Sequence, residues 1–284
     1  MVKNQFANNR SVRFIKQLIE RITRDDVPGL AAQLSYFFLL SLFPFMIFLI
    51  TLIGYLPFDE INVMNFISTY APEQIVTMLN DNLVQIMNNR NGGLLSIGII
   101  GTLWSASNGI NALVRSFNKA YNIEEERSFI VMRGISIILT IAMLLVISVA
   151  FLLPIFGKMI GVYLFSLFGL SQGFLDIWNT LRWVISSIIF FIVLTMLYRM
   201  APSKRVYFKH IYIGAIFATI CWQLTSLAFS YYVTSMGNYS ATYGSLGGVI
   251  ILMIWFYLSG MIIITGGEIN AQIENRERNR VNPS

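Results

Sequence analysis

Four polar side chains, Asn108, Asn111, Arg115 and Asn118, recur three or four residues apart within a largely apolar stretch, so a helix sets them on one face. Trp104 falls one turn earlier on the same side, with Ser105 and Ser107 nearby. Amides and a guanidinium are costly in hydrocarbon, so such a stripe faces a partner, a cavity or water. Its chemistry is hydrogen bonding and charge recognition, suited to a headgroup and not to bond cleavage. Gln223 lies in a later apolar stretch with Ser226 and Ser230 following on one face. Glu268 closes the last stretch in Gly266-Gly267-Glu268-Ile269-Asn270 and is expected to meet Arg115 at the inner boundary. That pair is either a clasp between helices or part of a polar mouth that receives a headgroup. These six residues form the candidate polar path.

Catalytic chemistry has little to draw on. His210 is the only histidine and Cys221 the only cysteine, so a multi-histidine metal site, a thiolate cluster and an intramolecular disulfide are excluded. Boundary Glu268 apart, every carboxylate lies outside the apolar stretches, which leaves none at mid-membrane for a proton relay. A phosphate loop of the Gly-rich, Lys-Ser/Thr kind is missing. The expectation is a non-enzymatic protein with no catalytic residue, metal or cofactor.

The elements that must position the polar stripe are membrane helices. The chain of 284 residues is 56% hydrophobic and only 12% charged, against roughly 25% charged in an average soluble domain. Mean hydropathy is +0.65. A crossing needs about 20 mostly apolar residues, and six stretches qualify: Leu34–Leu56, Leu94–Val114, Gly134–Phe156, Leu181–Tyr198, Ile211–Val233 and Leu246–Thr265. Apart from Arg90, Lys158 and Arg182, every basic residue lies before the first stretch, in alternate gaps after it, or in the tail. By the positive-inside rule both termini are then cytoplasmic. The net charge of +6 sits beside the membrane and suits anionic headgroups, not nucleic acid.

The expected fold is an all-α membrane protein with six transmembrane helices. A basic amphipathic segment spans residues 1–33, the transmembrane domain 34–268 and a polar cytoplasmic tail 269–284. Val12, Ile15, Ile19 and Ile22 recur at helical spacing and predict an interfacial helix. Asp25 and Asp26 before Val27-Pro28 read as helix caps, not catalysts. The first stretch lacks the small-residue cleavage site of a signal peptide. Pro44 within it predicts a kink. External residues 57–93 carry apolar residues at helical spacing, among them Ile75, Met78, Leu79, Leu83 and Ile86, predicting amphipathic external helices between the first two spans. Lys158 to Asn179 is apolar enough to dip into the interface. Gly244, Gly247 and Gly248 allow close helix packing, for example on Gly214 and Ala218. Glu124, Glu125 and Glu126 read as a solvated patch, and Trp222 and Trp255 as packing aromatics or interface anchors.

Ala31-Ala-Gln-Leu-Ser-Tyr-Phe-Phe-Leu-Leu-Ser-Leu-Phe-Pro-Phe45, Leu103-Trp-Ser-Ala-Ser-Asn-Gly109, Asn118-Lys-Ala-Tyr-Asn122, Tyr198-Arg-Met-Ala-Pro202, Tyr243-Gly-Ser-Leu-Gly-Gly248 and Gly266-Gly-Glu-Ile-Asn-Ala271 together resemble the YihY/BrkB family of bacterial membrane proteins. The resemblance spans nearly the whole chain. It implies a multi-pass protein of the bacterial cytoplasmic membrane, associated with envelope biology and the movement of lipids or related molecules, and it brings no catalytic residue. Members have also carried a ribonuclease label, which would require clustered metal ligands that these residues do not supply.

Two functions fit. In the first, the bundle transports or flips a lipid or other amphipathic envelope molecule along the polar path, with membrane lipids as partners. In the second, it is a scaffold that gathers envelope proteins or a second copy of itself, and the polar residues tie helices together. A transport path predicts a continuous polar cavity reaching the midplane, whereas a scaffold predicts the same side chains mutually satisfied in a dry core.

Overall fold

The computed structural model describes residues 10–53, 92–143, 172–204, 206–235 and 246–281. Seven helices lie among them: α1 Arg10–Arg24, α2 Val27–Ile53, α3 Gly92–Ala120, α4 Phe129–Met143, α5 Gln172–Met200, α6 Phe208–Ser235 and α7 Leu246–Val281. Segments of α2, α3, α6 and α7 are long and apolar enough to cross a membrane, and two shorter apolar stretches are Phe129–Met143 and Val184–Met200. Each of the six expected spans overlaps one of these helices. Of the external segment 57–93 all but Gly92 and Gly93, which begin α3, lies outside the described residues, as do most of the Lys158 to Asn179 stretch and Gly244.

The chain divides into two compact units, one built from Met1–Phe37 with Ser107–Ser284 and the other from Phe38–Ala106. In the second unit α2 runs unbroken through Pro44. A Cβ on Gly101 would lie 2.9 Å from the Pro44 ring, and one on Gly98 would lie 2.7 Å from the Phe48 backbone nitrogen. Glycine at these two places lets α2 and α3 cross at backbone distance.

In the larger unit the packing is inside out relative to a soluble bundle. Gly214, Ala215, Ala218 and Thr219 form the buried face of α6, while Ile213, Ile216, Ile220, Leu224 and Leu227 are exposed. On α5, Leu194, Leu197 and Tyr198 are buried, and Val184, Ile188, Ile192 and Met196 point outward. Water would oppose such surfaces; lipid tails accept them, and small residues then let helix backbones approach.

Three expectations need correction. First, α2 begins at Val27, seven residues before the expected span, because Asp26 caps it: its carboxylate accepts Gly29 N–H at 3.3 Å and Pro28 suits the first turn. Asp26 also adopts a left-handed conformation, φ 55°, that ends α1. Second, the segment expected as a polar tail from residue 269 continues the last helix, since α7 is one 36-residue helix to Val281 with Ile269, Asn270 and Ala271 buried. Third, Gly214 meets Gly266 and Asn270, not Gly247 or Gly248. Helices α6 and α7 run antiparallel, so the first turns of α6 lie beside the last turns of α7. Gly247 is buried, but a Cβ on Gly248 would meet nothing within 4 Å.

Candidate functional site

One end of the larger unit gathers the C-terminal ends of α3, α5 and α7 and the N-terminal ends of α2, α4 and α6, with α1 laid against α7. Gly266 and Gly267 make the tight packing possible. A Cβ on Gly267 would strike the Phe117 ring, and one on Gly266 would strike the Tyr198 hydroxyl and the Gly214 carbonyl. Tyr198 donates to the Ile263 carbonyl at 2.8 Å, and the Asn270 side-chain carbonyl accepts Gly214 N–H at 2.7 Å.

Glu268, fully buried, accepts from Arg21 Nε and Nη2, both at 2.9 Å. Arg21 also donates to the Ala120 carbonyl, so one guanidinium joins α1, α3 and α7. The other Glu268 oxygen finds no donor among the described residues. The expected Glu268–Arg115 pair is therefore not formed. Arg115 points to another side of α3 and donates to Gln33 Oε1 of α2 at 2.8 Å. Further along α7, Lys204 reaches Glu274 at 3.0 Å, Lys209 reaches Glu277 at 2.7 Å, and His210 is hydrogen-bonded to Glu277. Burial, with the Glu274 and Glu268 carboxylates adding to it, pushes the Tyr121 phenol well up, so it stays a neutral hydroxyl.

The polar stripe of α3 faces outward beside this end. Asn108 and Asn111 are half-buried and Arg115 is exposed. Arg133 of α4 donates to Asn108 at 2.7 Å, and Ser136 of α4 donates to Asn111. Asn108, Asn111, Arg115, Gln33 and Arg133 thus form a reachable polar face with two guanidiniums, framed by apolar side chains, while Ser136 is fully buried. Gln223 stands apart, donating to Ser187 of α5 at 2.5 Å. Trp222 packs on Phe190 and Trp255 and donates to Ser259 at 3.1 Å, as a packing aromatic does.

Asn118 leaves the stripe and serves the turn after α3. Its amide donates to Glu125 and its oxygen accepts Ser203 N–H, both at 2.8 Å. Asn122, at φ 52°, closes the helix: its N–H meets the Lys119 carbonyl and that of Ile123 meets the Asn118 carbonyl, a Schellman cap. Glu125 is held by Arg127 through Nε at 2.7 Å and Nη2 at 2.8 Å, and Arg127 reaches on to the Ala201 carbonyl. Glu125 thus leaves the expected solvated patch. Its hydrogen bonds from the Arg127 side chain are the main cause that lowers its pKa from 4.5 to about 2. A depressed carboxylate stabilises the fold above its unfolded value and loses that contribution as pH falls through its folded value. The stability difference between parent and Glu125→Gln is therefore expected to be full above pH 4.5 and to vanish toward pH 2 in acid unfolding curves. A pH-independent difference contradicts this clasp.

Residues 18–284 match the family described as Virulence factor BrkB. The chain belongs to the BrkB family. The chain is 52% identical over 265 residues to "Putative ribonuclease-like protein YfkH" of Bacillus subtilis, a match covering 93% of this chain and 96% of that protein. It is 28% identical to a UPF0761 membrane protein of Vibrio campbellii, covering 94% of this chain and 84% of that one. A UPF0761 membrane protein of Alteromonas mediterranea is 26% identical, covering 92% and 88%. No solved structure matches.

Four of the stretches that carry the BrkB resemblance meet in the larger unit: Ala31 and Leu34 against Gly260, Asn118 and Tyr121 at the turn, Tyr198 and Ala201 at the end of α5, and Gly266 to Asn270 at the crossing. Of the six expected path residues, the structure keeps Asn108, Asn111 and Arg115 together and separates Asn118, Gln223 and Glu268 from them. Sequence reasoning missed Arg21, Gln33, Arg133 and Ser136. Arg21 breaks the polar pattern of α1 by no visible signal. Arg133 and Ser136, three residues apart on one face of α4, repeat on a smaller scale the pattern that singled out α3.

Proposed function

We propose that this BrkB-family membrane protein crosses the bacterial cytoplasmic membrane six times, with both termini cytoplasmic, and carries the headgroup of an anionic lipid or other amphipathic envelope molecule along the outward polar face of α3. The observation behind this reading is that Asn108, Asn111 and Arg115, with Arg133 of α4 and Gln33 of α2, remain open to a ligand instead of being sealed in the core. A headgroup on that face exchanges hydrogen bonds with two guanidiniums while its acyl chains stay against the exposed apolar residues beside them. The reading is non-enzymatic: the lone histidine lies at the start of α6, engaged by Glu277, and supplies no partner for hydrolysis.

A second reading is favoured by a different observation. Each stripe side chain already has a protein hydrogen-bond partner, which suits a scaffold that binds envelope proteins or another copy of the chain. Liposome translocation separates the two. Fluorescent phospholipids of several headgroups are expected to move with the parent and to stop with folded Asn111→Leu/Arg115→Leu protein. Equal movement by both, or none by the parent with and without an ion gradient, sinks the lipid path.

A further inference from the structure

We propose that the crevice between α1 and the last turns of α7 binds a phosphate ester carrying a hydroxyl or ammonium group, the chemistry shared by phospholipid headgroups and soluble phosphate esters. The crevice encloses about 450 Å³, within the roughly 300–1,000 Å³ of small-molecule sites. Arg24 and Arg276 stand in its wall with Gln17, Gln272, Asn275 and Asn279.

The lining separates into groups already committed and groups with capacity to spare. Arg21, also in the wall, is committed to Glu268. Arg24 gives Nε and Nη2 hydrogens to Asp25, and Arg276 gives an Nη2 hydrogen to Gln17 while lying over the Phe14 ring. A guanidinium has five N–H donors, and Asp25 takes two of those of Arg24, which leaves hydrogens for a phosphate, while Arg276 adds a second positive charge to the wall. Glu20, the one carboxylate of the lining, lies 3.9 Å from Lys16. Gln272 supplies the observation that an anion alone does not answer. It is 3% exposed, its amide nitrogen donates to the Phe14 carbonyl and to Gln17, and its carbonyl oxygen has no donor among the described residues. An acceptor buried in this way calls for a hydroxyl or ammonium donor beside the phosphate.

Both sources of such a group have access. At about 3.6 residues per turn, Val12, Ile15 and Ile19 fall on the side of α1 opposite the crevice residues Gln17 and Arg24. They are 42%, 56% and 58% exposed, which suits a helix seated at a bilayer surface with its polar side toward water. The crevice is separate from the polar face of α3, so its occupancy is measurable whether or not lipid is moved.

Titration calorimetry of the full chain in a non-ionic detergent tests this. Glycerol phosphate and dihexanoyl phosphatidylglycerol are expected to bind, inorganic phosphate more weakly, and dihexanoylglycerol not at all. Arg24→Gln/Arg276→Gln is expected to weaken binding about tenfold or more, the loss of a charged hydrogen bond. Asn275→Trp, which fills the crevice without removing a charge, is expected to weaken it as well and decides the matter if the double variant does not fold. Tighter binding of the lipid than of glycerol phosphate supports the site with the bilayer as source, and comparable binding supports it with a soluble ester. Parent protein that does not prefer the phosphate ligands to the phosphate-free control, or folded variants that bind as the parent does, overturn the proposal.

Discussion

Replacing Arg21 with alanine is expected to destabilise the larger unit by roughly 3–5 kcal/mol, the cost of stranding a buried charge. Glu268 is fully buried and Arg21 is its ion-pair partner, so the substitution leaves a carboxylate in the core with its neutralising guanidinium removed. The Ala120 carbonyl loses the same donor, which loosens the end of α3. Arg21→Gln/Glu268→Gln removes both charges and is expected to cost less than Arg21→Ala alone. Arg115→Gln is the matched control, because Arg115 is exposed and pairs with an amide, and it is expected to cost about 1 kcal/mol or less. Thermal unfolding in detergent reads all three. A larger loss from Arg115→Gln than from Arg21→Ala would contradict the pairing described above.

The second large effect is steric. Gly214→Ala places a methyl group against the Gly266 carbonyl and the Asn270 side chain, atoms belonging to a packed backbone and a hydrogen-bonded amide. Neither yields as a flexible side-chain end would. The expected loss is at the upper end of, or beyond, the roughly 1–3 kcal/mol of an overpacked core. Gly266→Ala meets the Tyr198 hydroxyl and the Gly214 carbonyl and is expected to behave alike. Gly248→Ala enters open space and is expected to leave melting unchanged or slightly raised, since alanine suits a helix better. Equal melting of Gly214→Ala and Gly248→Ala protein would remove the close crossing of α6 and α7.

The contrast between those glycines shows what the sequence makes legible. Hydropathy places the helices well, because lipid-spanning length is a local property that a run such as Leu246 to Thr265 states directly. Depth and register are not local. Gly244, Gly247 and Gly248 have the spacing of a packing motif, yet antiparallel pairing sets the first turns of α6 against the far end of α7. The Glu268 partner is hidden for a similar reason. Arg115 and Arg21 both lie near the same end of the bundle, and only the rotation of α3 about its axis turns Arg115 outward. The faces of α3 are legible in part: spacing keeps Asn108, Asn111 and Arg115 together, but the left-handed Asn122 ends the helix and draws Asn118 into the turn. The end of α7 is the largest omission, because the polar composition of residues 269–284 does not reveal the helix that continues there or the partners of Glu274 and Glu277 on the neighbouring Lys204, Lys209 and His210.

The contact between Arg21 and Glu268 spans 247 positions of the chain. During synthesis α1 is made well before its counter-charge, so this long-range closure waits for α7 to be inserted. Until then Arg21 lacks the Glu268 carboxylate, and the Ala120 carbonyl lacks the fully assembled clasp. A chain interrupted before Glu268 cannot make this closure, which gives the ion pair a role in time as well as in space: it certifies that α7 has arrived.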